Sequence, residues 1–268
     1  MVAVRFLFWN TNRNSDINSV LCDIIYQKKI NIAILAEYKA DIQDLVFQSS
    51  VKGLMMCEYA TVGCDRIKMI GTFDSKRIAM SRQAAYYSMQ IVDDSLLLCG
   101  VHLPSKLHAT ADKQELCFNE ISRDVVVAEL ECQIENSIVV GDFNQNPYEN
   151  GCLGAMGFHG IPVAEETAAL SRTILRKKYK MFYNPMWNLL GDFDYPPGTY
   201  YCNSNEAINP FWNMFDQVII RPQLREKFVE SSLEIVTETN MYSLVDSKNR
   251  PNKKYSDHLP IIFEIRED

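Results

Sequence analysis

The apolar run Ser137-Ile138-Val139-Val140 leads directly into Gly141-Asp142-Phe143-Asn144-Gln145. An acid and an amide delivered to the tip of a buried strand are fixed in relative position at little entropic cost, which suits them to hold a cation or a phosphate. The same device recurs along the chain. Val4–Trp9 runs into Asn10-Thr11-Asn12, and Ile32–Leu35 runs into Ala36-Glu37-Tyr38. Leu96–Val101 runs into His102-Leu103-Pro104-Ser105, and Ser256-Asp257-His258-Leu259-Pro260 precedes the last apolar segment. Each cluster alone has an ordinary explanation, since an Asn at a strand end is usually a turn residue. Their co-occurrence is what points to one site.

In this order, the clusters resemble the endonuclease/exonuclease/phosphatase superfamily, whose fold is that of deoxyribonuclease I. The matching residues span positions 10 to 258. The resemblance implies a metal-dependent hydrolase of phosphate esters, built as a four-layer α/β-β/α sandwich of two packed mixed sheets flanked by helices. It implies that Asp216, in Phe215-Asp216-Gln217, partners His258, and that His102 is the strand-end His of the deoxyribonuclease I and sphingomyelinase branches. The acid that supports that His has no clear counterpart: Glu58, Asp65 and Asp74 are each candidates. The Gly-rich strand found in many members is poorly matched by Ile67–Thr72.

The residues suggest the same chemistry. A phosphodiester repels hydroxide, so its charge must first be neutralised. Magnesium does this with oxygen ligands, usually one or two carboxylates and several waters. Glu37 is the leading ligand, with Asn10 and Asp257 completing the set, and Mn2+ is a substitute for Mg2+. Asp142 is expected to orient or deprotonate the attacking water. Asn144 would donate its amide to a phosphoryl oxygen, and His258 would act as acid/base or as a charged donor.

The leading expectation is a nuclease, endo- or exo-acting, on DNA in preference to RNA. The alternatives are a phosphatase or phosphodiesterase on a nucleotide, inositol phosphate or phospholipid headgroup, and a non-catalytic binding module. Substrate contacts are assigned to Asn12, Lys39, Arg176, Lys177, Lys253 and Lys254. The last four belong to basic runs at 172–180 and 248–254. Pro197 to Asp216 is similar to a segment of the exonuclease III and abasic-endonuclease branch. There, Trp212 is either a base-stacking platform or a core anchor, and Phe215 reads as a core anchor.

The elements that must position these residues are legible as patterns. Asp16 is expected to cap a helix carrying Ile17, Val20, Leu21, Ile24 and Ile25, and Asp41–Gln48 reads as a second helix. Cys117, Ile121, Val125, Ala128 and Cys132 form the stripe of a long helix over Lys113–Glu135. Strands are expected at Met55–Tyr59, Ile67–Thr72, Arg77–Met80, Tyr86–Val92, Phe215–Ile220, Val229–Val236 and Leu259–Ile265, with a hairpin turn at Asp93-Asp94. A turn-rich stretch covers Gly151–Pro210.

The 268 residues, 47% hydrophobic, suffice for one catalytic domain over 1–268. No apolar run is long enough for a membrane helix, and no membrane partner is expected. The chain reads as cytoplasmic, since its start is strand-like rather than a leader and its eight cysteines include no Cys-x-x-Cys pair. A formal charge of −7 argues against retention on nucleic acid by bulk charge alone, though not against an enzyme whose positive charge is confined to the rim of its site. Any attraction for a polyanion must therefore be local.

Overall fold

A computed structural model describes residues 3–193, 195–205 and 207–267. Two mixed sheets form its centre. The first has the strand order Glu234–Ile235, Ile261–Arg266, Ala3–Asn10, Ile32–Ala36, Ile67–Gly71, Cys57–Tyr59. The second runs Ile78–Ala84, Tyr87–Val92, Leu96–His102, Ser137–Asp142, Asp216–Ile220, Phe182–Tyr183, Gly160–Ile161.

The period-2 alternation of the central strands explains why they are sandwiched. On Leu96–His102, Leu97, Cys99 and Val101 join a cluster with Phe118, Ile121, Val125 and Ala128 of the helix Ala111–Cys132. On the neighbouring strand, Ile138 and Val140 point the other way, into the main core with Phe8, Ile34, Met69 and Phe263 of the first sheet. Side chains that alternate across a pleat bury both faces only if something covers each. Here a helix covers one face and the opposing sheet covers the other. Gly100 marks how closely the sheets approach, since a Cβ there would lie 2.8 Å from both Ile34 Cγ2 and Met69 Cε. The helix Asn18–Gln27 contributes Val20, Leu21, Ile24 and Ile25 to the main core and crosses over between the parallel strands Ala3–Asn10 and Ile32–Ala36.

Several element boundaries differ from the sequence expectation. Asp16 does not cap the first helix. The N-cap is Ile17, without a side-chain hydrogen bond, and the Asp16 N–H instead donates to Asn14 Oδ1 at 2.9 Å. Asp41 does cap the second helix, accepting from the Gln43 N–H. The long helix starts earlier, capped by Thr110, and ends at Cys132, where Gln133 takes φ +56°. The strand expected at Val229–Val236 shrinks to Glu234–Ile235, preceded by a 3-10 turn at Glu230–Ser232. The Asp93-Asp94 turn forms as expected, both residues adopting the positive φ of a tight hairpin.

Register is the feature that builds the site. Leu96–His102 and Ser137–Asp142 run parallel with His102 opposite Asp142, and Asp216 lies opposite Asp142 on the antiparallel side. In the other sheet, Asn10 pairs with Ala36 and Ala36 with Ile67, so Glu37 and Arg66 stand just beyond the same edge. Val101 faces Gly141 across the parallel pair, where an added Cβ would lie 2.0 Å from the Val101 carbonyl oxygen. Gly141→Ala is therefore expected to force the two strands apart, with a stability loss of roughly 2 kcal/mol or more of the overpacking kind. Urea unfolding measures it. An unchanged midpoint would show that the pair has room to spare.

Candidate active site

Asp142 is the hub of the site. It is 1% exposed. Its Oδ2 accepts from Asn10 Nδ2 at 3.0 Å, and its Oδ1 accepts from the Asn144 N–H at 2.9 Å. His102 Nε2 and His258 Nε2 stand 3.8 and 3.9 Å from Oδ2. Glu37 approaches from the first sheet, with Oε1 3.4 Å from His102 Nε2. Behind His258, Asp216 Oδ2 lies 2.8 Å from Nδ1. Asp216 is itself placed by its N–H bond to Thr199 Oγ1 at 3.1 Å.

The loop carrying His258 is tied to the opposite end of the chain. Ser256 Oγ donates to the Asn10 carbonyl at 2.7 Å and receives the His258 N–H at 3.1 Å. Trp9 Nε1 donates to the His258 carbonyl at 2.9 Å. Asn12, Glu37 and Asn144 all take positive φ (47°, 49° and 51°). Such conformations persist only where the surroundings over-determine them, and they cluster at functional sites.

Burial pushes the Asp142 carboxyl up to about 7, against the pull of His258. A carboxyl poised near neutrality has the proton affinity of a general base. Burial opposes charge on His258, but Asp216 and Asp142 outweigh it and raise the imidazole to about 10. Burial drives His102 the other way, to about 4, with Glu37 opposing and Arg66 and His258 reinforcing. At neutral pH the two imidazoles thus differ: His258 is a cation and His102 is neutral.

The donors facing the cleft suit a hard divalent cation. Among the described residues Asn10 Oδ1 accepts only the Asn12 N–H, at 3.0 Å, which leaves it a lone pair. Glu37 is held by a partner, Arg13, that is itself 74% exposed. Asp257 lines the same cleft. Ligand atoms of Asp142, Asp216 and His258 also lie within 4.8 Å of one another. Those types can bind a cation, but Asp216 Oδ2 and His258 Nδ1 are committed to each other at 2.8 Å, so the pair also works as a proton-holding network. The surrounding cleft has a volume of about 1150 Å³. Tyr200 and Phe215 stack at 5.4 Å to form one wall, and the Tyr200 ring lies 4.8 Å from His258.

No protein-family model and no curated protein sequence matches this chain. Solved structures do. An AP endonuclease from Archaeoglobus fulgidus aligns with TM-score 0.59 and 10% identity, covering 98% of this chain and 100% of that one. D. rerio TDP2 complexed with single-strand DNA product aligns with TM-score 0.56 and 14% identity over 100% of both chains. The human Nocturnin catalytic domain with bound sulfate anion gives 0.56 and 13%, covering 98% of this chain and 94% of that one. The chain has the deoxyribonuclease I-like fold. This is the fold of the endonuclease/exonuclease/phosphatase superfamily, and an endonuclease/exonuclease/phosphatase family protein from Bacteroides thetaiotaomicron shares it at TM-score 0.58.

On this fold, Asn10, Asn12, Glu37, His102, Asp142, Asn144, Asp257 and His258 border one cleft. Other expectations fall differently. Asn144 Nδ2 donates to the Leu103 carbonyl at 2.9 Å, which leaves one N–H for a ligand. None of Glu58, Asp65 and Asp74 supports His102, because its buried Nδ1 has no hydrogen-bond partner among the described residues. Glu58 pairs with Lys68, and Asp74 caps its own turn. Trp212 packs against the core beside Tyr195 and Tyr201. Phe215, expected in the core, is the residue that faces the cleft. Lys39, Lys253 and Lys254 are exposed and do not line it. The Lys254 carbonyl accepts from Asn14 Nδ2 at 3.0 Å, next to the cleft residue Arg13. Arg176 and Lys177 stand on a hairpin at the opposite end of the second sheet.

Sequence reading missed Arg13, Arg66, Tyr86 and Lys106, which do line the cleft. Arg66 sits 4.8 Å above the Tyr86 ring, and Lys106 pairs with Glu149 at 2.6 Å. They are single charges or rings in loops, with no periodic signal to separate them from ordinary surface residues.

Removing the Asp216 charge tests the proton-holding network. Because Asp216 raises the His258 pKa, His258 keeps its proton until the pH climbs toward about 10. In Asp216→Asn, deprotonation should occur at lower pH. An NMR titration of the imidazole in metal-free protein reads the midpoint directly, and an unmoved midpoint would remove Asp216 as its cause.

Proposed function

We propose that this chain, 1–268, is a Mg2+-dependent nuclease acting in the cytoplasm, with DNA preferred over RNA and Mn2+ able to replace Mg2+. The observation that carries this reading is the convergence of Glu37, Asn10, Asp257, Asp142 and His258 on one cleft from four separate strand ends. The DNA product in the D. rerio TDP2 structure and the endonuclease among the structural relatives support a nucleic-acid substrate. Eight free cysteines support a reducing compartment, and no described helix is long and apolar enough to cross a membrane.

A bound divalent cation neutralises phosphate charge and polarises a phosphoryl oxygen; Asn10, Glu37 and Asp257 would hold it. Asp142, fixed by Asn10 and the Asn144 N–H, takes a proton from the water that attacks phosphorus. His258, kept cationic by Asp216, donates to a phosphoryl oxygen as negative charge grows there. The remaining Asn144 N–H assists it. Tyr200 and Phe215 offer a flat apolar wall on which an unpaired base can stack, an interaction indifferent to sequence.

Cleavage of a labelled single-stranded oligonucleotide in Mg2+ and in EDTA tests the reading. Asp142→Asn and His258→Ala should each lower the rate by about 10²- to 10⁴-fold, the range expected of a lost acid/base group, with circular dichroism unchanged. Glu37→Gln should raise the Mg2+ concentration needed for half activity. Wild-type rates in either of the first two variants would contradict the mechanism. Phosphate release from mononucleotides without oligonucleotide cleavage would replace it with a small-substrate phosphatase.

A further inference from the structure

The basic run 172–180 is left unused by the catalytic cleft. It forms an antiparallel hairpin, Ser171–Ile174 with Lys177–Lys180. The foot of this hairpin is firmly attached. Lys180 Nζ lies 2.8 Å from Glu129 Oε2, and the buried Glu129 also accepts from Arg221 Nε at 2.6 Å and Ser137 Oγ at 2.8 Å. Arg172 Nη1 is 3.5 Å from His159 Nε2. Ser137 begins the strand that ends at Asp142, so the hairpin is rooted at the end of the sheet away from the catalytic row.

Above that foot Lys177 Nζ lies 5.1 Å from the Tyr179 ring centroid. Arg176 and Lys178 are exposed and have no hydrogen-bond, ion-pair or ring partner among the described residues. The tip is Leu175-Arg176, both at positive φ (47° and 67°), where Asn-Gly is the usual choice. Leu175 is 96% exposed. A strained turn that presents a bare leucine beside Arg176 is a poor solution for a plain surface loop. The cross-strand pairs Thr173/Lys178 and Ile174/Lys177 are consecutive and therefore point to opposite faces of the ribbon.

We infer that this hairpin is a second grip on duplex nucleic acid, separate from the catalytic cleft. The choice of polyanion rests on the nuclease reading above. A two-stranded ribbon fits the major groove, where cations on its two faces meet phosphates on both walls and an apolar tip meets thymine methyl groups. A flat anionic surface such as a lipid headgroup layer would touch only the tip and leave both faces unused. The −7 net charge makes the location matter, because the rest of the molecule repels a polyanion that this projection attracts. The six-residue strand Ser137–Asp142 alone separates the hairpin foot from the catalytic row by on the order of 17 Å. Cleavage of a strand short enough to be held by the catalytic row alone therefore does not depend on the hairpin.

The test compares wild type with the Arg176→Ala/Lys178→Ala double variant. Binding to a duplex of about 30 base pairs, roughly three helical turns, is measured by fluorescence anisotropy in EDTA over a series of salt concentrations. Cleavage of a single strand about six nucleotides long is measured in Mg2+. The double variant should bind duplex at least about fivefold more weakly and lose about 2 from its log–log salt slope, at roughly 0.9 per phosphate contact. Its cleavage of the short strand should stay within about twofold of wild type. Unchanged duplex affinity and slope would overturn the inference, whether or not the short strand is cut. Loss of binding to phosphatidylserine vesicles with duplex binding intact would also overturn it, in favour of a membrane contact. If neither protein cuts the short strand but duplex binding depends on the hairpin, the nuclease reading fails and the grip stands.

Discussion

The site depends on strand register more than on any single bond. His102, Asp142 and Asp216 lie on one row because three neighbouring strands pair in that alignment. A one-residue slip would turn Asp142 to the opposite face of its sheet and bury a charge against apolar side chains. The register is held by apolar alternation on both faces and by the close contact at Gly141, where nothing larger fits against Val101. The first sheet contributes Asn10 and Glu37 by the same logic, and Asn10 closes the gap between sheets by donating to Asp142.

From this row comes a division of charge among buried groups. A carboxyl surrounded by core atoms is hard to ionise, and Asp142 is relieved only in part by two hydrogen bonds. His258 is equally buried yet cationic, because Asp216 touches one nitrogen and Asp142 faces the other. Burial keeps His102 neutral, and among the described residues it has no partner on Nδ1 to offset that. Three groups in one shell therefore hold different protonation states at one pH, the condition for an acid and a base to work side by side. Holding them so leaves Glu37, Asn12 and Asn144 in left-handed backbone conformations.

Much of this was legible in the sequence, for a physical reason. Residues at the ends of buried strands inherit their positions from the core pattern, so Asn10, Glu37, His102, Asp142 and His258 could be assigned together from the apolar runs they border. Residues on long loops inherit nothing of the kind. The hairpin at 171–180 was visible as a run of charge, but its attachment depends on the buried Glu129 of the long helix and Arg221 after the strand Asp216–Ile220. No local pattern reports that contact. Phe215 left its expected core setting, and Trp212 took the core alternative of its two, for a similar reason: both are aromatic, three residues apart, and the short pairing of Tyr200–Tyr201 with Trp212–Asn213 lies between them. Asp16 lost its expected cap because the turn Asn14–Asp16 closes on itself first.

The central claim is that separate strand ends make one cation-binding centre around Asp142. Three of the four histidines report on it from known places, since His102 and His258 flank Asp142 while His159 sits near the hairpin foot at the far end of the sheet. Titrating the protein with Mn2+ and following the histidine ring signals by NMR is the most direct measurement. Selective paramagnetic broadening of His102 and His258 at substoichiometric Mn2+, with His159 still sharp, is the result predicted here. Uniform broadening of all rings, or sharp His102 and His258 signals at saturating Mn2+, would contradict the account.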